Sequence, residues 1–156
     1  MNSKVKFEKD FLEFISLCNK HEVEYLVIGG YAVAIHGYPR YTKDIDVSIR
    51  ISGKNSAAMI KVIKEFGFAS LNLTSEDFTK EGGIIQLGYE PLRIDIINDL
   101  NGVSFENALK NKKVVIYEGI SINFISCEDL IRNKKSAGRS QDMVDIEKLK
   151  SRNKNK

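Results

Sequence analysis

The sequence has no long hydrophobic run. Its uninterrupted apolar stretches are a handful of residues, such as residues 26–28, whereas a membrane-spanning helix needs about 20 apolar residues. Residues 1–10 are charged and lack the apolar segment of a secretory signal. These absences predict a cytoplasmic protein without a membrane partner.

Cysteine and proline are also scarce, with two residues of each in the 156-residue chain. Cys18 and Cys127 show no metal-binding spacing, which predicts two reduced, partly buried thiols rather than a disulfide or a zinc site. The chain has no internal repeat and no proline-rich linker, and 42% of its residues are apolar. We therefore expect one domain over residues 1–150, followed by a disordered basic tail at residues 151–156.

The chain has no strong excess of either charge, since its net charge is +3. Residues 148–156 hold five lysines and arginines and no acid, and without them the net charge is −2. This balance argues against a broadly basic surface that binds nucleic acid. The tail itself is either a solvated end or an arm that contacts RNA.

Hydrophobic periodicity predicts an α/β fold of the α+β kind, a small mixed sheet with flanking helices and two C-terminal helices. Apolar residues at helical spacing predict helices over residues 6–20, 31–36, 55–66, 104–111, 128–136 and 140–150. Alternating and β-branched runs predict strands over residues 24–28, 44–50, 83–88, 92–97, 113–117 and 120–124. Gly67 is expected to end the third helix, and Ser126 and Ser140 are expected to cap the last two.

Two acidic residues stand at alternate positions at the start of a predicted strand. Asp44 and Asp46 leave the same face of that strand, with their Cα atoms roughly 6.6 Å apart at about 3.3 Å per residue. Such a pair either holds one or two Mg²⁺ ions or simply faces solvent. A third acid, Asp95, stands among β-branched residues, where an unpaired buried charge is costly. A metal ion, or a salt bridge to Arg93 or a nearby lysine, would supply the missing positive charge.

The Gly29-Gly30 pair follows a predicted strand and opens a predicted helix. This geometry lets the backbone approach a ligand and directs N–H groups at an anion such as a triphosphate, although tight turns also use glycine for steric reasons alone. His36 contacts either a phosphate or base, or the last carbonyls of its own helix. Two neighbouring cations, Arg40 and Lys43, either bind phosphate or are solvated. Three nearby tyrosines, Tyr31, Tyr38 and Tyr41, either stack on a base or pack together around a loop.

The order of these features resembles the nucleotidyltransferase superfamily related to DNA polymerase beta. The superfamily pattern is an apolar residue with Gly-Gly or Gly-Ser, about 9 to 13 residues, Asp-x-Asp or Asp-x-Glu, and one later acid on another strand. The chain carries all three parts in that order, as Gly29-Gly30, 13 further residues, Asp44-Ile45-Asp46, and Asp95.

The C-terminal stretch is similar to a small bacterial subgroup that includes relatives of the AbiEii toxins. In that subgroup a lysine, a Gly-Arg pair and an Asp-x-x-Asp follow the sheet, as Lys134, Gly138-Arg139, Asp142 and Asp145 do here. Relatives often have Pro-Lys after the Gly-Arg pair, where this chain has Ser140-Gln141. The resemblance covers about residues 24–149.

This resemblance implies the nucleotidyltransferase fold and a two-metal, NTP-dependent nucleotidyltransferase. It implies that Asp44 and Asp46 bind Mg²⁺, with Mn²⁺ as an alternative, and that Asp95 completes the metal site near the attacking hydroxyl. All three acids are thus expected to be catalytic residues as well as metal ligands. The residues implied to bind the nucleotide are Gly29, Gly30, Lys134 and Arg139. The alternative for Arg139, together with Asp142 and Asp145, is an electrostatic arrangement at a helix start that docks the last helix.

The acceptor is an RNA end, a protein or a small molecule, and the AbiEii resemblance adds a toxin–antitoxin role and a protein partner as hypotheses. The alternative is a catalytically silent nucleotide-binding or regulatory partner with the same fold, and the presence of all three carboxylates favours the enzyme.

Two other enzyme classes also carry a D-x-D pattern. Phosphatases of the haloacid dehalogenase type carry their acids at the end of an apolar strand, whereas Asp44 begins one, which argues against this class. Glycosyltransferases with a D-x-D pattern need a sugar-nucleotide domain for which this chain is short.

Overall fold

The computed structural model describes residues 5–38, 42–80, 82–89 and 92–154. Its α-helices are α1 Lys9–Lys20, α2 Gly29–Ile35, α3 Gly53–Ile63, α4 Ser75–Thr79, α5 Phe105–Lys110, α6 Cys127–Ala137 and α7 Ser140–Lys154. Its strands are β1 Tyr25–Ile28, β2 Asp44–Ile49, β3 Ile84–Tyr89, β4 Leu92–Ile97, β5 Lys113–Tyr117 and β6 Ile120–Phe124.

The strands form one mixed six-stranded sheet in the order β3-β4-β2-β1-β6-β5. β1 pairs antiparallel with β2 and parallel with β6, and β2 pairs parallel with β4. The hairpins β3–β4 and β5–β6 form the two edges. The predicted mixed sheet with flanking helices is confirmed, including both hairpins.

Local sequence signals explain where most of the helices begin and end. The side chains of Ser52, Ser104 and Ser126 accept hydrogen bonds from backbone N–H groups in the first turns of α3, α5 and α6. A π-helical turn follows α3, and Gly67 lies within it at φ +105°. Gly138 ends α6 at φ +68°. These positive φ angles favour glycine, so the predicted ends near Gly67 and Gly138 follow from local chemistry.

The hydrophobic core fills the space between the sheet and α1, α2, α3 and α6. α1 contributes one apolar stripe, in which Phe11, Phe14 and Cys18 are buried. All four residues of β1 are buried, as expected for a central strand covered on both faces. Cys18 and Cys127 are free thiols, the first buried and the second partly buried, as predicted. None of the helices in the described ranges is long and apolar enough to cross a membrane.

Two regions differ from the sequence prediction. The five-residue helix α4 was not predicted, because it is too short for a periodic pattern and depends on a capping box between Thr74 and Asp77. Helix α7 begins at Ser140 instead of being capped by it, and continues to Lys154. The part of the expected disordered tail at residues 151–154 is therefore helical. Residues 155 and 156, and the expected β3–β4 turn at residues 90 and 91, lie outside the described residues.

Candidate functional site

The pairing of β2 with β4 places the three predicted carboxylates side by side. Asp46 lies opposite Asp95, and Asp44 lies opposite Arg93. Side chains of directly paired residues leave the same face of a sheet, and neighbouring strands are about 4.8 Å apart. One face of the sheet thus carries a compact group of three acids and one arginine, which we call the carboxylate cluster.

The register extends this arrangement into a row across four strands. Asp46 is paired with Ile28 at the end of β1, and Asp95 is paired with Gln86 on edge strand β3. The glycine turn therefore lies on one side of the carboxylates and the exposed Gln86 on the other. No sequence pattern pointed to Gln86, because strand register is a tertiary property.

Gly29 lies directly against the carboxylate of Asp46. A Cβ atom at Gly29 would overlap Asp46 Oδ2, and the backbone of Gly29 has φ +69°. Both the contact and the left-handed backbone require glycine at this position. The first glycine of the predicted pair therefore makes room for the side chain of Asp46.

We expect Gly29→Ala to destabilise the protein and to lower any activity that depends on the carboxylate cluster about 100-fold, because the new methyl group displaces Asp46. Gly119→Ala is the matched control, since Gly119 has φ +80° and a Cβ atom added there would meet nothing within 4 Å. In the control, backbone strain should lower the free energy of unfolding by about 1–2 kcal/mol. Gly29→Ala should lower it by at least about 1 kcal/mol more, because the added methyl group overpacks the site. Chemical denaturation and transfer rates check this, and equal losses in the two variants would contradict the contact.

Burial of the Asp46 carboxyl, reinforced by the charges of Asp95 and Asp44, raises its pKa to about 6. The positive charges of Arg139 and Arg93 act in the opposite direction but do not cancel the rise. The cluster therefore holds more negative charge than its own arginine balances. A bound cation would relieve this excess.

The raised pKa of Asp46 predicts a pH dependence of stability in the metal-free protein. The folded state holds the Asp46 proton more tightly than the unfolded state, so ionisation of Asp46 destabilises the fold above pH 6, and this cost disappears as the pH falls through 6 toward 3.8. Relative to Asp46→Asn, the wild type should gain up to about 3 kcal/mol of unfolding free energy between pH 7.5 and 4. Urea denaturation in EDTA checks this, and a constant difference between the two proteins would contradict it.

Arg93 supplies the salt bridge that the sequence left open as an alternative to a metal. Its Nε lies 2.8 Å from Asp95 Oδ1, and its Nη2 lies 3.1 Å from Asp95 Oδ2 and 3.0 Å from Asp44 Oδ2. The guanidinium thus joins Asp95 on β4 to Asp44 on β2. Among the described residues, no group of three His, Cys, Asp or Glu side chains is arranged to hold a metal ion. The oxygen donors nevertheless fit Mg²⁺ or Mn²⁺ chemically, and the excess negative charge at Asp46 favours such an ion.

A cavity of about 450 Å³ opens beside the carboxylate cluster, a size typical of small-ligand sites. Helix α7 forms one wall of the cavity through Gln141 and Lys148. Its lining residues are Gly30, Thr42, Lys43, Asp44, Asp46, Gln141 and Lys148. Sequence reasoning missed Gln141 and counted Lys148 with the basic tail, because only the packing of α7 brings them here.

Lys134 occupies a different environment from the one that the resemblance implied. Its ammonium lies 2.9 Å from Asp145 Oδ2 and 3.3 Å from Asp142 Oδ1, and all three side chains are buried. Arg139 lies 2.8 Å from Asp142 and is largely exposed, and its charge partly opposes the rise in the pKa of Asp46 that burial causes. Lys134 therefore docks α7 onto α6, whereas Arg139 lies close enough to act on the carboxylate cluster.

The structure assigns packing contacts to two of the weaker candidates. His36 is buried, and its Nε2 donates a hydrogen bond to the carbonyl of Ile125 at 2.7 Å. Tyr31 is buried and stacks on Phe7. Tyr38 lies under the Lys148 ammonium, which is 5.8 Å from the ring centroid. Arg40 and Tyr41 lie outside the described residues.

Solved structures with the same fold define the class of protein. A Thermotoga maritima protein assigned to the nucleotidyltransferases aligns with a TM-score of 0.63 and 15% identity, over 97% of this chain and 99% of that one. The lincosamide antibiotic adenylyltransferase LnuA, solved with lincomycin bound, aligns with a TM-score of 0.56 and 18% identity over 93% and 97%. A nucleotidyltransferase-like antigenic protein from Paracoccidioides brasiliensis aligns with a TM-score of 0.52 and 13% identity, over 95% of this chain and 78% of that one. The fold is that of the nucleotidyltransferases.

The family follows from the sequence. The profile of the family described as "Nucleotidyl transferase of unknown function (DUF2204)" matches residues 7–156, so the chain belongs to this family. No curated protein matches the chain by sequence. The predicted membership among the nucleotidyltransferases is confirmed, whereas the relation to the AbiEii subgroup stays a prediction.

Proposed function

We propose that the protein transfers a nucleoside monophosphate from an NTP to a hydroxyl acceptor, with Mg²⁺ or Mn²⁺ bound by Asp44 and Asp46. The observation that carries this proposal is the carboxylate cluster beside a polar cavity lined by Lys43 and Lys148. The acids supply oxygen ligands for a divalent cation, and the lysines supply positive charge for a triphosphate. Membership in a nucleotidyl transferase family supports the same reaction.

The chemistry requires charge at two places. The acceptor hydroxyl loses its proton through Asp95 to solvent, and its oxygen forms a bond to the α-phosphorus. The bond from that phosphorus to the bridging oxygen breaks, and pyrophosphate leaves. A bound divalent cation would neutralise charge on the α-phosphate and lower the pKa of the attacking hydroxyl. Lys43 and Lys148 would stabilise the leaving pyrophosphate, and Gly29 and Gly30 would let the phosphates approach the backbone closely.

The NTP and the acceptor would bind on opposite sides of the carboxylates in this row. The nucleotide would lie over the glycine turn and α7, where the cavity opens. The acceptor would then approach from β3, where exposed Gln86 lies beside Asp95. In this arrangement Asp95 accepts a hydrogen bond from the attacking hydroxyl, and Arg139 contacts the nucleotide from the α7 side.

Transfer of a labelled α-phosphate tests the proposal directly. The purified protein is incubated with each α-³²P-labelled NTP, Mg²⁺ or Mn²⁺, and total RNA, soluble protein or a set of small hydroxyl compounds. We expect label on one acceptor class with one preferred NTP, and none in EDTA. LnuA, an adenylyltransferase of a lincosamide antibiotic, makes small hydroxyl compounds a class to include.

The alternative function is a catalytically silent nucleotide-binding or regulatory partner. Absence of label with every acceptor would contradict the enzyme. An NTP-induced rise in melting temperature would then leave the nucleotide-binding partner, and no such rise would leave the regulatory partner. The toxin–antitoxin role and a protein partner rest on the C-terminal motif alone. Co-purification of a partner that suppresses transfer would support them.

A further inference from the structure

Arg93 is positioned as a built-in cation of the carboxylate cluster. Its guanidinium contacts both oxygens of Asp95 and one oxygen of Asp44, at 2.8 to 3.1 Å. The three side chains are mostly buried, with 26%, 11% and 25% of their surfaces exposed, respectively. A bidentate guanidinium pair of this kind is fixed in geometry and always charged, unlike a lysine contact.

The strand register makes this placement obligatory. Arg93 stands two residues before Asp95 on β4, so both side chains leave the same face, and Arg93 is directly paired with Asp44 on β2. Arg93 thus occupies one corner of a four-residue block whose other corners are the three acids. Asp46, at the opposite corner, lies against Gly29.

The charge of the block matches one divalent cation. Three ionised carboxylates and one guanidinium leave a net charge of −2, which a single Mg²⁺ or Mn²⁺ neutralises. A second divalent cation would make the same block strongly positive, because Arg93 cannot release its proton. It would also need the oxygens of Asp95 that Arg93 already contacts.

We propose that Arg93 takes the position of a second metal ion beside Asp95, so that the nucleotide-free cluster binds one divalent cation, through Asp44 and Asp46. This inference rests on the proposed function and replaces the two-metal expectation for the free enzyme. Arg93 is then a positioning residue that holds Asp95 toward the acceptor side. It also keeps the two strands' acids together before the cation binds.

Counting bound Mn²⁺ tests the inference without any activity measurement. The full chain, free of nucleotide, is titrated with Mn²⁺, and free Mn²⁺ is followed by electron paramagnetic resonance. We expect one tight site in the wild type and two in Arg93→Gln, where the block carries one more negative charge and Asp95 is released. The variant Arg93→Lys keeps the positive charge and should therefore bind one Mn²⁺ ion, as the wild type does.

The outcomes separate the inference from the proposed function. Two tight sites in the wild type, or one in Arg93→Gln, would overturn the inference and leave a metal-dependent transferase. No site in the wild type and no labelled acceptor would overturn both. If Arg93→Gln is unfolded without metal, a double variant that also carries Asp95→Asn replaces it. This double variant restores the net charge of −2 and should bind one Mn²⁺ ion. Two tight sites in the double variant would also overturn the inference.

Discussion

Asp46→Asn is expected to lower nucleotidyl transfer at least about 10³-fold, which corresponds to about 4 kcal/mol of transition-state stabilisation. Asp46 is the acid between Asp95 on β4 and the glycine turn after β1, so its charge lies closest to both the cation and the phosphates in the proposed site. Asparagine keeps the shape and one oxygen but loses that charge. Single-turnover transfer of α-labelled NTP measures the effect.

The same substitution should leave the fold intact or make it more stable in EDTA at neutral pH. Burial and two neighbouring acids raise the pKa of Asp46, so removing its charge relieves repulsion. Glu13→Gln, which neutralises an exposed acid on α1, is the control and should change neither activity nor stability. Full activity in Asp46→Asn would show that the metal-site assignment is wrong. Lost activity with a clearly less stable fold would show that Asp46 has a structural role instead.

Lys134→Met is expected to lower the free energy of unfolding by about 3–5 kcal/mol, the usual cost of removing one partner from a buried ion pair. Lys134 is the buried cation between Asp142 and Asp145. Burial by itself would raise the pKa of Asp142, but hydrogen bonds from the side chain and backbone of Arg139 and the charge of Lys134 outweigh it and lower the pKa. Without Lys134, buried Asp145 loses the Lys134 ammonium and Asp142 keeps its contacts with Arg139, so the docking of α7 on α6 is weakened.

Chemical denaturation measures this loss, and the neighbouring Lys135→Met is the matched control. Lys135 is exposed on the same helix, so its replacement should change stability by less than about 0.5 kcal/mol. Neutralising Asp142 and Asp145 together with Lys134 should recover part of the loss. If Lys134→Met were as stable as the wild type but inactive, Lys134 would be the phosphate ligand that the C-terminal motif implied, and the docking role would be wrong.

The position of α7 connects this buried cluster to the candidate site. Gln141 and Lys148 on α7 line the cavity, and Gln141 also donates a hydrogen bond to Asp145 at 2.9 Å. A helix released from α6 would therefore remove two residues from the cavity wall. Transfer activity in Lys134→Met should fall together with stability and recover with it in the triple variant.

Local signals in the sequence were sufficient for most of the secondary structure. Alternating apolar residues predicted β2. Pairs of apolar runs joined by short turn segments predicted both hairpins, with bounds within a residue of those observed. A serine cap at Ser126 predicted the start of α6. The short helix α4 and the continuation of α7 to Lys154 were not predicted, because neither has a periodic apolar pattern that distinguishes it from a loop or tail.

Residue types and the two-residue period of a strand were sufficient to predict the chemical groups of the candidate site. These are Asp44 and Asp46 on one strand face, Asp95 on a later strand, and a glycine pair before them. The pairing of Asp95 with Asp46, the link from Asp44 to Asp95 through Arg93, and the places of Lys148 in the cavity wall and of Lys134 in a buried ion pair became known only from the fold. Register and helix docking depend on contacts between residues far apart in the chain, which no local pattern specifies.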